Sequence, residues 1–186
     1  MNRFLYLVLF SFFALHASVD EPLGIDPSGL PMIRVYLTDA EGRAHAARFL
    51  LDTGAEMTVL DQSLAKLFAV DVKGEADVIG VTGDITAVQP IRIRGLAFGG
   101  TKLKNVGGVR MNLADDSGRF EDSPLDGVLG MNVLRGLRFA LDFQASQIEW
   151  GASAPEGLYV TPLHWSREGL PMLEVSFSGK KLEMLC

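Results

Sequence analysis

Leu50-Leu51-Asp52-Thr53-Gly54-Ala55 decides how this chain is read: an apolar strand delivers one carboxylate into a tight turn through a small hydroxyl residue and a glycine. Ahead of the turn Ala47, Phe49 and Leu51 alternate with Arg48 and Leu50, a strand's period of two. Met57, Val59 and Leu60 follow it. Apolar flanks of this kind are expected to bury the turn, and a buried carboxylate is costly unless its charge is shared or hydrogen-bonded. Asp52 alone could still be an Asx turn at a strand end.

A second segment narrows the choice. Asp126-Gly127-Val128-Leu129-Gly130-Met131-Asn132-Val133-Leu134 is an apolar run punctuated by two glycines. In order and spacing, the two segments resemble the paired motifs of the retropepsin-like aspartic proteases: a hydrophobic pair followed by Asp-Thr-Gly-Ala, then a hydrophobic-hydrophobic-Gly segment. The resemblance spans roughly Gly29 to Trp150, about one small domain.

The resemblance implies an all-β fold, a retropepsin-like (pepsin-lobe) closed β-barrel with a flap hairpin and one or two short helices. In it a strand passes beneath the catalytic turn and leads into a short helix. It implies Asp52, Thr53 and Gly54 as catalytic residues, with the Thr53 hydroxyl bracing the turn and Gly54 permitting close backbone approach. Ala55 then belongs to the substrate-binding surface. No metal or organic cofactor is required by that chemistry.

The residues support a β-rich body independently. Met32 to Leu37 is rich in β-branched and aromatic residues, and Asp39 to Arg43 forms a polar connection back to Ala47 to Leu51. Asp61 is placed to cap a helix carrying Leu64, Leu67 and Phe68. Ala76 to Gln89 reads as a hairpin with Thr82, Gly83 and Asp84 at its tip. Its position suits a flap, in which Gly80 and Gly83 allow bending, and Val81, Ile85 and Val128 are expected as substrate-facing wall residues. Short strands at Ile91 to Ile93, Leu96 to Phe98, Lys102 to Val106 and Val109 to Met111 are expected, separated by glycine-rich turns. Phe139, Leu141 and Phe143 alternate in a further strand, with Gln147 to Trp150 returning.

Asn112 to Pro124 is a polar loop holding Asp116-Ser117-Gly118, superficially a second catalytic tripeptide. No hydrophobic strand delivers Asp116, and Asp115, Glu121 and Asp122 mark a solvated loop, so it is set aside.

With a net charge of −6 and scattered basic residues, the chain has no phosphate-binding face, and nucleic acid is not expected as a partner. Three histidines and one cysteine give a His/Cys metal site no support; His45 and His164 read as solvated or packed. Residues 1–17 have one early cation, Arg3, an apolar run from Phe4 to Leu15 and a small terminal residue, the layout of a secretory signal peptide. The run is short against the roughly 20 residues that span a bilayer. Export to the periplasm or medium is expected, with no stable membrane span once the signal is removed; an uncleaved anchor is the alternative. Asp20 to Ser28 reads as part of a linker, 18–28. Cys186, the last residue, allows no intrachain disulfide.

Gly29-Leu30-Pro31-Met32-Ile33-Arg34-Val35-Tyr36-Leu37 recurs as Gly169-Leu170-Pro171-Met172-Leu173-Glu174-Val175-Ser176-Phe177, and Leu182, Met184 and Leu185 then mimic the strand that ends at Leu51. Such a repeat takes priority in a reading. The division expected is a protease domain over 29–152, then a linker and the beginning of a truncated second repeat over 153–186.

The function expected is that of an aspartic endopeptidase acting on peptide or protein substrates. Its second Asp comes from a homodimer mate or a second lobe. The alternatives are a non-catalytic peptide-binding module of the same fold, an inactive half-enzyme, and a structural β domain in which Asp52 only caps a turn.

Overall fold

The computed structural model describes residues 18–79, 85–113, 124–153 and 161–185. The expected signal peptide, the hairpin tip with Gly80, Val81 and Gly83, the Asp116 loop and Cys186 lie outside the described residues. Among the described residues, fifteen strands and two helices follow one another: β1 (Val19–Pro22), β2 (Gly24–Ile25), β3 (Pro31–Thr38), β4 (Ala44–Leu51), β5 (Val59–Asp61), α1 (Gln62–Phe68), β6 (Ala69–Asp71), β7 (Ala76–Ile79), β8 (Ile85–Phe98), β9 (Thr101–Met111), β10 (Gly127–Leu129), α2 (Met131–Leu134), β11 (Phe139–Asp142), β12 (Gln147–Trp150), β13 (His164–Trp165), β14 (Pro171–Phe177) and β15 (Lys180–Leu185). The chain is mostly β, as its patterning requires.

The main sheet runs β2-β3-β4-β10-β5-β9-β8-β6, with β7 hydrogen-bonded to β8. Tyr36 and Leu37 of β3 pair with Ala97 and Leu96 of β8, so the strands from β3 round to β8 form a ring. Inside it, Phe49, Val35, Leu37, Leu60, Ile93 and Leu129 are essentially inaccessible to water. The alternation along β3 and β4 turns those residues inward and leaves Arg34 and Tyr36 outside.

Asp61 caps α1 as its position suggests: the carboxylate accepts the Ser63 N–H at 2.8 Å. Its second oxygen accepts the Leu113 N–H at 3.0 Å, tying the helix start to the end of β9.

Of the glycines expected to divide the middle of the chain into four strands, Gly99 and Gly100 do form the turn between β8 and β9, but the others do not interrupt a strand. β8 and β9 are continuous, and Gly95 and Gly108 sit within them. A Cβ at Gly95 would stand 2.5 Å from the Thr38 hydroxyl, and one at Gly108 would stand 2.6 Å from the Thr58 carbonyl oxygen. These glycines serve close packing between strands rather than turns.

The expected linker over 18–28 is also corrected. β1 pairs with β12 from Val19↔Trp150 to Pro22↔Gln147, and β2 pairs with β3. Glu21 accepts hydrogen bonds from the Gly99 N–H at 3.0 Å and the Trp150 indole at 3.2 Å, and Leu23 is buried. Trp150 in turn packs between Phe98 and Phe139, with ring centroids 4.8 and 5.6 Å away. An acidic, turn-rich stretch is here an edge strand whose carboxylate satisfies the Gly99 N–H and the Trp150 indole.

Candidate active site

Strands β4 and β5 flank the Asp52 turn and are neighbours in sequence, yet they do not pair with each other. β10 lies between them, parallel to β4 (Gly127↔Phe49, Val128↔Leu50, Leu129↔Leu51) and antiparallel to β5 (Gly127↔Leu60, Val128↔Val59). A Cβ at Gly127 would meet the Phe49 ring at 2.5 Å and the Val59 carbonyl at 2.6 Å, so only glycine lets the wedge enter. Asp126 fixes its start: Oδ2 accepts the Arg48 N–H at 2.7 Å, and its own N–H donates to the Arg48 carbonyl at 3.0 Å.

The turn rests on this wedge. The Asp52 N–H donates to the Leu129 carbonyl at 3.1 Å, the Met131 N–H to the Ala55 carbonyl at 2.8 Å and the Asn132 N–H to the Glu56 carbonyl at 3.0 Å. Gly130 is pressed against the loop: a Cβ there would lie 2.6 Å from the Met57 carbonyl carbon and oxygen and 2.9 Å from the Ala55 oxygen. Above that floor, Asp52 Oδ1 accepts the Gly54 N–H at 2.8 Å. A Cβ at Gly54 would crowd the same oxygen at 3.1 Å, which is why the position takes glycine.

Two residues that sequence reasoning did not single out hold the turn from behind. Thr58 is fully buried. Its N–H and its hydroxyl both donate to Asn132 Oδ1, at 2.8 and 2.9 Å. The Thr58 oxygen accepts the Gly130 N–H at 3.3 Å, and Asn132 Nδ2 donates to the Gly107 carbonyl at 2.8 Å. The signal for this network is a hydroxyl residue inside the apolar run 57–60 and a polar Asn inside the run 127–134.

Asp52, Thr53 and Ala55 are half-buried and Gly54 is exposed, so the turn is less enclosed than its apolar flanks suggest. Ala55 packs against a second apolar cluster formed by Met32, Val59, Val88, Val109, Leu113, Leu125 and Val128, with Ala76 and Val78 of the hairpin joining it. The structure thereby brings the catalytic-motif turn, the base of the β7–β8 hairpin and Val128 together. Val128, expected on an open wall, is buried inside this cluster. Ile85, at the start of β8 opposite Ile79, is 68% exposed.

A separate open groove of about 620 Å³ lies over the outward face of β3 and β4, beside Arg34, Tyr36, Arg48, Glu21 and Asp126; its walls do not include the Asp52 turn. Among the described residues, no group of three or more His, Cys, Asp and Glu side chains could hold a metal ion, and no helix is long and apolar enough to cross a membrane. His45 belongs to the hairpin tip, where Nε2 lies 2.9 Å from Asp39 Oδ2 and the ring packs on Phe68. His164 lies 3.2 Å from Glu183.

Comparison with known proteins agrees with this geometry. Residues 33–133 match the family model of the aspartyl proteases, and the chain belongs to that family. The matched span begins in β3 and ends in α2, enclosing both the turn and its wedge. No curated protein matches the sequence. Among solved structures, the chain is similar to a retropepsin-like aspartic protease from Rickettsia conorii, at 17% identity and a TM-score of 0.44, covering 72% of this chain and 90% of that one.

Proposed function

We propose that the protein is an aspartic endopeptidase in which Asp52 is one carboxylate of a catalytic pair. The observation that carries this is the mounting of Asp52: Oδ1 accepts the Gly54 N–H, and the turn is bolted through Leu129, Met131 and Asn132 to a strand and helix beneath it. Such a mount holds a reacting group to a fraction of an ångström.

Two carboxylates brought together cannot both ionise, so they share one proton. The ionised member takes a proton from water as that water attacks the scissile carbonyl. The protonated member donates to the carbonyl oxygen as negative charge develops there. The proton taken from water then passes to the departing amine as the C–N bond breaks, while one hydroxyl of the intermediate returns a proton to the carboxylate that donated it. The two titration steps belong to the pair rather than to Asp52 alone. The second carboxylate comes from another lobe or another chain, and Thr53 braces the turn against it.

The substrate is an extended peptide. Its main chain lies between the Asp52 turn and the β7–β8 hairpin, and apolar side chains settle on the cluster around Ala55, Val78 and Val88, a strand-addition mode of recognition. Export of the chain to an extracytoplasmic compartment accompanies this reading, on the strength of the apolar leader sequence. Cleavage of a peptide library by wild type, lost in Asp52→Asn with an unchanged thermal unfolding profile, is the supporting result. Equal cleavage by the two proteins ends the proposal.

A further inference from the structure

The outward face of β3 and β4 carries charge that the strand pairing does not use. Arg34 and Arg48 stand directly opposite each other, and Tyr36 stands opposite Ala46 two residues further along, on the same face. Like charges opposed across a strand pair cost stability, so the two guanidiniums are not there for the sheet's sake. Arg34 is exposed, and among the described residues its side chain has no hydrogen bond or ion pair. A guanidinium offers five donors and no acceptor, so Arg34 is a site in want of an anion.

The groove of about 620 Å³ lies over this face. It opens where two sheets part: Gly24 still pairs with Met32 of β3, whereas Pro22 and Glu21 turn away to pair with Gln147 and Ile148 of β12. Pro22, Tyr36 and Ala46 give the groove apolar surface. Because Ala46 is small, the flank of the Tyr36 ring stays open, and the residue is 41% exposed.

Two carboxylates border the groove, one on each side. β3 has β4 as its neighbour on one side and β8 on the other. Glu21 stands on the β8 side, where its two oxygens accept the Gly99 N–H and the Trp150 indole. Asp126 stands on the β4 side, where Oδ2 accepts the Arg48 N–H at 2.7 Å. Both acids are turned toward donors of the fold. The charge pattern across the groove is therefore negative at each border and positive between them, so it draws an acid at its centre and repels one at either flank.

We propose that this groove binds a short peptide segment carrying one carboxylate between uncharged residues. The Arg34 guanidinium receives the carboxylate, through the paired N–H···O bonds that its planar fork allows, and the Arg48 charge beside it adds to the attraction. The neighbouring residues of the segment lie on Tyr36, Ala46 and Pro22. A groove of about 620 Å³ is larger than a lone carboxylate fills and lies within the roughly 300–1,000 Å³ usual for ligand sites. Its walls do not include the Asp52 turn, and the binding does not depend on the chemistry of that turn.

The test uses the full chain carrying Asp52→Asn, so that a probe is not cut, and the fluorescence anisotropy of a labelled, end-blocked peptide Ala-Val-Glu-Val-Ala at low salt. Peptides with Gln or Lys at the centre are the controls. The Glu peptide is expected to bind at least about tenfold more tightly than either, the worth of a charge-assisted hydrogen bond, and to weaken as salt is added. Arg34→Gln is expected to abolish that preference without lowering Tm, since it removes one of two opposed charges. Ala46→Trp, which keeps Arg34 and fills the groove, is expected to lose the Glu peptide as well. Equal binding of the three peptides, tighter binding of the Lys peptide, or a Glu preference that survives Arg34→Gln overturns the proposal. Displacement by acetate at the same concentration as by unlabelled Glu peptide reduces the site to one for any small anion and overturns peptide recognition.

Discussion

One oxygen of Asn132 receives both the N–H and the hydroxyl of Thr58, at 2.8 and 2.9 Å, across 74 positions of sequence. Through that atom the strand leaving the Asp52 turn is joined to the helix beneath it. Changing Asn132 to Leu keeps the branched shape at the cost of some added bulk and removes the acceptor, leaving two buried donors unpaired. The expected cost is about 1–3 kcal/mol, since a stranded buried donor carries its full desolvation penalty. Chemical denaturation measures it, and peptide cleavage is expected to fall further than stability alone accounts for.

Gly130→Ala forces a methyl to within 2.6 Å of the Met57 backbone, which cannot rotate away. Overpacking of this kind costs roughly 1–3 kcal/mol. Because the displaced atoms belong to the catalytic-motif loop, the variant is expected to fold with lowered Tm and to lose cleavage. Gly136→Ala, where a methyl meets nothing within 4 Å, serves as the control and is expected to retain activity.

Glu21→Ala strips the partner from the Trp150 indole and the Gly99 N–H. A loss of about 1–3 kcal/mol is expected, with a change in Trp fluorescence and near-UV dichroism. An unchanged Tm would mean that β1 contributes no stability to the β12 edge.

Asp39 supplies a pH dependence. Burial opposes its charge, but hydrogen bonds from His45 and Arg43 and the Arg43 guanidinium outweigh that and hold the carboxyl well below its ordinary range. A folded-state pKa below the unfolded value of about 3.8 means that the contribution is complete above that value and is lost as pH falls through the folded one. Asp61 is lowered too, with burial opposed by Ser63 and Leu113. Stability is expected to fall as pH drops below about 4, and Asp39→Asn to flatten the lower part of that profile while unfolding more readily at neutral pH.

The parts of the fold that announce themselves in sequence are those governed by neighbours along the chain. The β3–β4 hairpin follows from alternation and a polar turn at Gly42, the start of α1 from the Asp61 cap, and the β7–β8 hairpin from two β-branched arms around a glycine. Gly95 and Gly108 misled because a glycine required by a strand packed against it looks, in sequence, like a glycine required by a turn. β1 escaped notice because its carboxylate is satisfied by Gly99 and Trp150, which no local pattern reveals. At the site, roles for Asp52, Thr53 and Gly54 were expected only through the resemblance, and the family match spans the segment that holds them. Thr58 and Asn132 were not, since each looks like an isolated polar residue until the fold brings them together.

The wedge of β10 between β4 and β5 also sets a clock. Asp52 and its flanking strands are synthesised first, but the floor of the turn arrives with Gly127 to Asn132. At roughly 5–20 residues per second, the 74 positions between Thr58 and Asn132 take about 4–15 s to emerge. Until then β4 and β5 have no strand to share, and closing so long a loop is slow. A nascent chain thus carries Asp52 for that interval without the floor that positions its turn.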